Sequence, residues 1–596
     1  MQVPEKFNLA FDRWIKVKDQ NGDSHLLSPA EIFEDPDNYV DLNGDMKTQD
    51  LTTLRFLEAI LITVYSRVNE NGKPYSWIKL DSHMRQTSFD AASANSDYLL
   101  NTVDGLLTKK NFAEALKYLE LNRDSFDFKG GKTNYGQISF DKYNSIVTDK
   151  FRLDKKSDPL NKPSDGKWPQ TVPLKTLNRK INESNNKDIL FTMLDNDSKS
   201  DMTWDQFIRW MICYVNYCGI SDKVDTKAKA AVKKKFANKK DDKIPMSRGW
   251  MYLLNPVYAD QSNLFETLLY NMTLMASPQT PLWEQDINDY ADKQVMTTPL
   301  QTDKHTYYAG RQPENTAELY TNLGRLVYIN YNKEYPRVYP IKLPRFEMRV
   351  KDIEPMTLWN VKYDDDGQIT GYDGPKTRYV NNIHASMWQK FGLYVSSLDA
   401  GQYAPGIINW LNKLKNTGVI SKDTLIGLQT AGFVSKEPVD QAHKPLFEMR
   451  DDMTVKAGVL FDDDPNESAR WQKIIDDAVK TTQKAVIAYR YFLKDVGVGR
   501  DMDTKNWYSW PFLTQAETHF WDDLNKPFKS WLSHLDSSSD KDQQLSLWRS
   551  TLKDLALKEL HDFQLTSRDM NETVFAGSRK YKNKIQKLTN DLKEGD

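Results

Sequence analysis

The 596-residue chain has only two cysteines, Cys213 and Cys218. A single pair so close in sequence builds neither a disulfide framework nor a four-ligand zinc set, so a reducing interior is expected. The eight histidines are scattered, and none shows the H-E-x-x-H or H-x-H spacing that sets two imidazoles on one metal. His561-Asp562 is expected as a surface pair near the end of a helix. Asp462, Asp464 and Asn466 open like a calcium loop, but Glu467 stands where that loop needs glycine and Lys473 where it needs the bidentate glutamate. A phosphate-binding G-x-x-x-x-G-K-[ST], a dinucleotide glycine fingerprint and a nucleophile elbow are all missing. Asp522 and Asp523 are neighbours that point to different sides of a helix, which excludes them as a working carboxylate pair. The N-terminus lacks the charged-then-apolar pattern of a signal peptide. The most apolar stretch, residues 51–64, is interrupted by Arg55 and Glu58 and is too short to span a bilayer. The expectation is a cytoplasmic protein that is not an enzyme, uses no metal or cofactor and has no membrane partner.

What is present is a folded body with one concentrated charge. Hydrophobic residues make up 39% and aromatics 12%, enough for substantial cores. The formal net charge is only −2, yet residues 223–243 (KVDTKAKAAVKKKFANKKDDK) hold nine lysines against three aspartates, a local charge of +6. Such a run either neutralises a polyanion or is a solvated insertion. Its flanks are apolar, residues 204–215 before it and 247–254 after it, so the lysines are projected from a folded scaffold.

Residues 7–17 (FNLAFDRWIKV) read as a strand, Asn21-Gly22 as a hairpin turn and residues 24–27 as the returning strand. Ser28-Pro29 reads as a helix cap followed by proline at the first helical position. Residues 50–68 are apolar on more than one face, the mark of a buried helix. Residues 264–272 form a compact apolar helix, and 325–331 and 357–363 read as strands, the latter running into a hairpin signal at Asp364-Asp365-Asp366-Gly367. After Asp462-Asp463-Asp464-Pro465 four amphipathic stripes follow. They are Trp471/Ile474/Ala478/Thr482/Ala485/Tyr489/Phe492/Val496, then Phe520/Leu524/Phe528/Trp531/Leu535, then Leu545/Trp548/Leu552/Leu555/Phe563, and Phe575/Ser578/Tyr581/Ile585/Leu588/Leu592. They predict an antiparallel four-helix bundle, with Pro527 kinking or interrupting its second helix. The fold class is α+β: a mixed N-terminal body with small β-regions over 1–461, and the bundle over 462–596.

Several segments together resemble one family, the large subunit (CasA) of the type I-E CRISPR surveillance complex, Cascade. They are residues 7–17 with the following hairpin and S-x-x-E-x-F helix, 264–272 (LFETLLYNM), 281–286 (PLWEQD), 318–329 (ELYTNLGRLVYI) and 384–391 (HASMWQKF). The match runs in order over essentially the whole chain. It implies a subunit that reads the protospacer-adjacent motif (PAM) of duplex DNA from the minor groove, while guide RNA reads the rest by base pairing. The implied partners are the other Cascade subunits, the guide RNA, double-stranded target DNA and a helicase–nuclease that docks after strand opening. The resemblance assigns the PAM-reading hairpin lysine to Lys362. The duplex-opening wedge falls on residues 431–437, including Gly432 and Lys436 and placed between two helical segments. The tip that anchors the guide's end and the neighbouring subunit falls on Phe191. Lys233, Lys234, Lys235, Lys239, Lys240, Lys243 and Arg248 are the expected grips on the duplex backbone. Where the family carries a glycine cluster, this chain has only Gly219 and Gly249 flanking the run. A carbohydrate-active enzyme would need two carboxylates in one cleft, a pattern that the sequence does not carry. An RNA-binding scaffold without PAM reading stays open as the alternative.

Overall fold

In the computed structural model, the described residues are all of 1–596 except 154–170, 173, 179–200, 219–223, 225, 229, 231–248, 302–305, 332–335, 347–349, 365–368, 376–385, 395–404, 435–446, 567–570 and 591–596. The chain divides into two compact units, residues 1–380 with 431–450, and residues 381–430 with 451–596.

The first unit begins with a departure from the expected long strand. Strand β1 covers only Phe7–Asn8, and pairing resumes in β2 (Ile15–Asp19). Asn8 causes the break: its Oδ1 accepts from the Ala10 amide at 3.0 Å, and Asp12 Oδ2 accepts from the Asn8 amide at 2.6 Å. Such side-chain bonds offer the backbone a turn in place of a ladder. The hairpin to β3 (Ser24–Leu27) forms as expected, with Gly22 at φ +91° in the turn, where a side chain would be strained. Ser28 then caps α1 (Pro29–Glu34) in a full capping box with Glu31. Strand β4 (Tyr39–Leu42) pairs on the other side of β2.

The core forms around α2 (Lys47–Tyr65), in which every residue from Thr48 to Tyr65 is buried. Apolar side chains on all faces let it run through the unit, and its polar groups must then find partners inside. Arg55 does so as a bidentate pair with Glu354, at 2.7 and 2.8 Å. Two residues past the helix, Arg67 forms a second bidentate pair with Glu284, at 2.7 Å for both bonds. The Glu284 carboxylate also accepts from the Tyr118 hydroxyl, which in turn accepts from Trp283 Nε1 at 2.7 Å. The 281–286 segment is thus a buried clamp.

Helix α3 (Trp204–Tyr217) packs beside α2 and is buried along almost its whole length. Strand β5 (Tyr258–Ala259) precedes α4 (Leu264–Asn271), and Asn271 turns back to bond both backbone groups of Ala259, at 2.7 and 2.9 Å. Helix α5 (Thr316–Tyr320) leads into the hairpin β6 (Arg325–Asn330) and β7 (Arg337–Lys342). A second hairpin pairs β8 (Trp359–Tyr363) with β9 (Ile369–Pro375), as the acidic turn signal suggests, although the turn itself lies outside the described residues. Strands β10 (Leu425–Val434) and β11 (Phe447–Lys456) complete a three-stranded sheet in the order β11–β10–β5.

The second unit holds the bundle: α6 (Trp471–Gly499), α7 (Pro511–His534), α8 (Lys541–Thr566) and α9 (Glu572–Thr589). Arg490 near the end of α6 meets Glu517 near the start of α7. Trp548 Nε1 donates to Thr482 Oγ1 at 3.0 Å, and Phe563 stacks edge-on against Phe492 at 5.2 Å, so α8 runs with α6. Asn571 Nδ2 reaches Gly499 O at 2.5 Å and Tyr581 meets Tyr489, so α9 runs back. The topology is the expected up-down-up-down bundle. The stripes shift by one residue at places: Ile475 is buried rather than Ile474, and Val574 rather than Phe575, which is 51% exposed. Ala556 and Leu560 fill the seam where Leu555 and Phe563 are half-buried. Steps of three and four only approximate a 3.6-residue turn, and neighbouring helices decide which residue of an adjacent pair faces inward. Helix α7 continues through Pro527 without interruption. Residues before the bundle join it: Trp388, from the 384–391 segment, stacks on Phe528 at 4.0 Å and donates to Asn525 Oδ1 at 2.8 Å. Of the linker acids, Asp462 accepts from the Trp471 amide at the start of α6 and from Lys541, so it caps a helix.

Among the described residues no helix is long and apolar enough to cross a membrane.

Candidate nucleic-acid interface

The chain leaves α3 at Cys218 and returns beside it at Gly249, whose amide donates to Cys218 O at 2.8 Å. Both ends of the lysine-bearing segment are therefore fixed at one place. Gly249 is buried there, and a Cβ on it would lie 2.0 Å from Asn216 O, so no side chain fits. Gly324 crosses on the other side, its amide bonded to Val215 O at 2.8 Å and its own Cβ position only 3.0 Å from the Gly249 Cα. Gly249 therefore serves close backbone packing at the base of the segment. Trp250 then locks the exit by donating Nε1 to Asn216 Oδ1 at 2.9 Å. Within residues 223–243 Lys227 is exposed and donates to Ser145 O at 2.7 Å.

The hairpin that carries Lys362 is rooted at the same place. Val257 N donates to Met356 O at 2.9 Å, and Asn255 N donates to Thr357 Oγ1 at 3.1 Å. These bonds join the segment after Trp250 to the residues just before β8. In the ladder Lys362 lies opposite Gly371, beside a register shift at Lys362/Tyr363.

The expected wedge arrives from a third direction, and here the structure corrects the expectation. Residues 431–434 are the end of strand β10, and the chain returns in β11, so the wedge segment lies between two strands rather than two helices. Residues 431–434 (AGFV) are the last four positions of the ten-residue strand, Gly432 half-buried and the other three buried. Phe433 packs edge-on against Tyr217 at 5.1 Å and tilts against Tyr252 at 5.9 Å. Gly432 is half-buried against Pro256, where an added Cβ would meet Pro256 Cδ at 3.5 Å, an ordinary contact. Beyond the wedge, Glu448 on β11 accepts from the Thr48 amide at the start of α2 at 2.6 Å.

Under this junction sits Arg55. Its guanidinium lies 4.9 Å from the Trp250 ring and 4.8 Å from the Tyr320 ring, while Glu354 takes both of its ends and also accepts from the Met356 amide at 2.9 Å. Burial alone would push the guanidinium down; the Glu354 carboxylate outweighs that and holds it above its ordinary value. The exit of the lysine segment and the root of the Lys362 hairpin thus share one buried ion pair. Arg55 and Glu354 are 299 residues apart, and no local pattern links them.

Three of the expected segments meet at this root. The side chains of Lys233, Lys234, Lys235, Lys239, Lys240, Lys243, Arg248 and Lys436 lie outside the described residues, as does Phe191. Lys362 is placed by its backbone alone.

One group beside the root titrates in an accessible range. Burial pushes the Asp50 carboxyl up to about 7, against the pull of Lys47 and of the Gly44 amide that donates to its Oδ1 at 2.7 Å. A carboxyl with a raised folded-state value holds its proton in the fold after the unfolded chain has lost it. The associated stability is full below the unfolded value, about 4, and is lost as pH rises through about 7. Asp50→Asn keeps an oxygen for the Gly44 amide and removes the titration. Its urea midpoint is expected to approach the parent's at pH 4 and to exceed it at pH 8; a variant with the parent's pH profile would contradict this assignment.

Comparison with known proteins places the fold. The sequence profile of the CRISPR-associated protein Cse1 family matches residues 8–558. The chain belongs to the Cse1 family. Similar solved structures include Thermobifida fusca Cse1, with TM-score 0.69 and 18% identity over 98% of both chains. Cse1 from Acidimicrobium ferrooxidans gives TM-score 0.62 and 17% identity over 99% of each chain. Thermus thermophilus CasA (Cse1) gives 0.60 and 15% over 98% of this chain and all of that one. No curated protein sequence matches the chain. Cse1 is the CasA family of Cascade large subunits that the sequence resembles; the family profile covers the body and the bundle as far as residue 558.

Proposed function

We propose that this chain is the PAM-reading large subunit of a type I-E CRISPR RNA-guided surveillance complex. It acts without catalysis, inside the cell, by binding double-stranded DNA and helping to start R-loop formation. The observation that carries this reading is the shared root. In a Cse1-family fold, the lysine-rich segment, the Lys362 hairpin and the 431–437 wedge all spring from residues 216–218, 249–257, 354–359 and 431–434. A common rigid base lets a phosphate grip, a groove reader and a wedge act on one short stretch of duplex. That division suits the chemistry: phosphate contacts position the duplex, whereas groove contacts discriminate sequence. Lys233, Lys234, Lys235, Lys239, Lys240, Lys243 and Arg248 hold the backbone, Lys362 enters the minor groove, and Gly432 to Glu437 help to open the first base pairs for guide invasion. Phe191 anchors the guide's end, the bundle faces neighbouring subunits, and the body presents the surface on which the helicase–nuclease docks.

The test is target binding by the guide-loaded assembly, with and without this subunit, on matched duplexes flanked by randomised sequence. Enrichment of a small set of flanks on adding the subunit is the expected result. Lys362→Ala should then flatten the enrichment, with the preferred flank losing about 1–3 kcal/mol of discrimination. If the subunit raises binding without enriching any flank, or if it binds single-stranded RNA as well as duplex DNA, the chain is a non-reading scaffold instead.

A further inference from the structure

The second unit contains a group of side chains that the DNA-reading function does not use. His519 and Asp523 lie four residues apart on α7, so they share one face a single turn apart. Glu559 projects from α8 to meet them, with His519 Nδ1 3.1 Å from Glu559 Oε1. One donor atom from each of the three lies within 4.8 Å of the others. We propose that His519, Asp523 and Glu559 form a zinc-class divalent metal site that joins α7 to α8.

Three features support the assignment. The first is geometry. Zinc–ligand bonds of about 2.1 Å place tetrahedral donors about 3.4 Å apart, and the imidazole and the Glu559 carboxylate already stand at 3.1 Å. The His519 side chain is 62% exposed and turns readily to close the remaining distance, while Asp523, held by Lys558, and Glu559, 5% exposed, are fixed. The second is the outer shell. Lys558 Nζ holds Asp523 Oδ2 at 2.9 Å, leaving Oδ1 for a metal. Ligating carboxylates are ordinarily held in this way. The third is charge. Asp523 and Glu559 set two carboxylates beside the His519 imidazole, a donor set that draws a cation. The exposed side of His519 leaves an entry path and an open coordination position.

The full-length chain, stripped with a chelator, tests this by titration with Zn²⁺ against a chromophoric competitor and by the absorption of its Co²⁺ form. The expected result is saturable binding of one ion per chain, a Co²⁺ spectrum of low coordination number, and a thermal midpoint that rises with Zn²⁺. His519→Ala and Asp523→Ala should each weaken binding by more than the roughly 10–100-fold that loss of an outer-shell partner costs. Both should abolish the Co²⁺ bands, and both should change the metal-free midpoint little, because partly exposed ion pairs contribute little to stability. Binding of the same stoichiometry and affinity in His519→Ala, or no saturable binding by the parent, would overturn the site.

Discussion

Glu354→Gln is expected to destabilise the first unit by about 3–5 kcal/mol. The variant leaves the Arg55 guanidinium fully buried between Trp250 and Tyr320 without its counter-charge. The glutamine amide can accept at one end of the guanidinium fork, but its NH₂ group faces the other donor and repels it. Aromatic faces each return only about 1–2 kcal/mol to a desolvated cation, too little to replace a carboxylate. The cost therefore lies in the orphaned charge, and removing both partners should cost far less than removing one. Arg55→Met combined with Glu354→Leu is expected to recover most of the loss, because a buried pair exchanged for apolar groups is often neutral or better. Urea titration combined with hydrogen exchange of the α2 amides measures both. A Glu354→Gln midpoint within about 1 kcal/mol of the parent would show that Arg55 finds another partner. Because Met356 and Trp250 hang on the same pair, the single variant should also weaken both grip and PAM discrimination in the assembled complex, whereas Lys362→Ala touches discrimination alone.

The second large effect concerns the lysines. Replacing Lys233, Lys234, Lys235, Lys239, Lys240 and Lys243 together by alanine is expected to lower duplex affinity in equal proportion for every flanking sequence. Each lysine–phosphate pairing removed should flatten the slope of log affinity against log salt by about 0.9. If all six grip phosphate, the slope changes by about five and affinity at low salt falls by several orders of magnitude. Specificity should survive, because released counterions carry no sequence information. An unchanged slope would show that the run is a solvated insertion. The assay also separates the two proposed roles: a uniform loss with a flatter slope marks a grip, and a loss confined to preferred flanks marks a reader.

Features that depend on neighbours in sequence were legible from the residues. The Ser28 capping box, the Asn21-Gly22 hairpin, the all-round burial of α2 and the four bundle helices each follow from side chains within one or two turns of each other. The family was legible too, because order and spacing along the chain are themselves sequence properties. The expected strand over 7–17 failed for a local reason: Asn8 and Asp12 bond the backbone of a turn and outcompete the ladder. The wedge was expected between helices and lies between strands, since a short run such as AGFV suits either state until a partner strand, here β5 held by Asn271, decides it. Three features depended wholly on tertiary structure: the Arg55–Glu354 pair beneath the root, the backbone crossing of Gly249 and Gly324, and the meeting of His519 and Asp523 with Glu559. The sequence alone determined the local elements, the lysine charge and the family, because hydrogen bonds of caps and turns and the period of a helix act over a few residues. Only the packed chain decided which distant groups share a site, because burial brings together residues hundreds of positions apart and makes an unpaired charge costly.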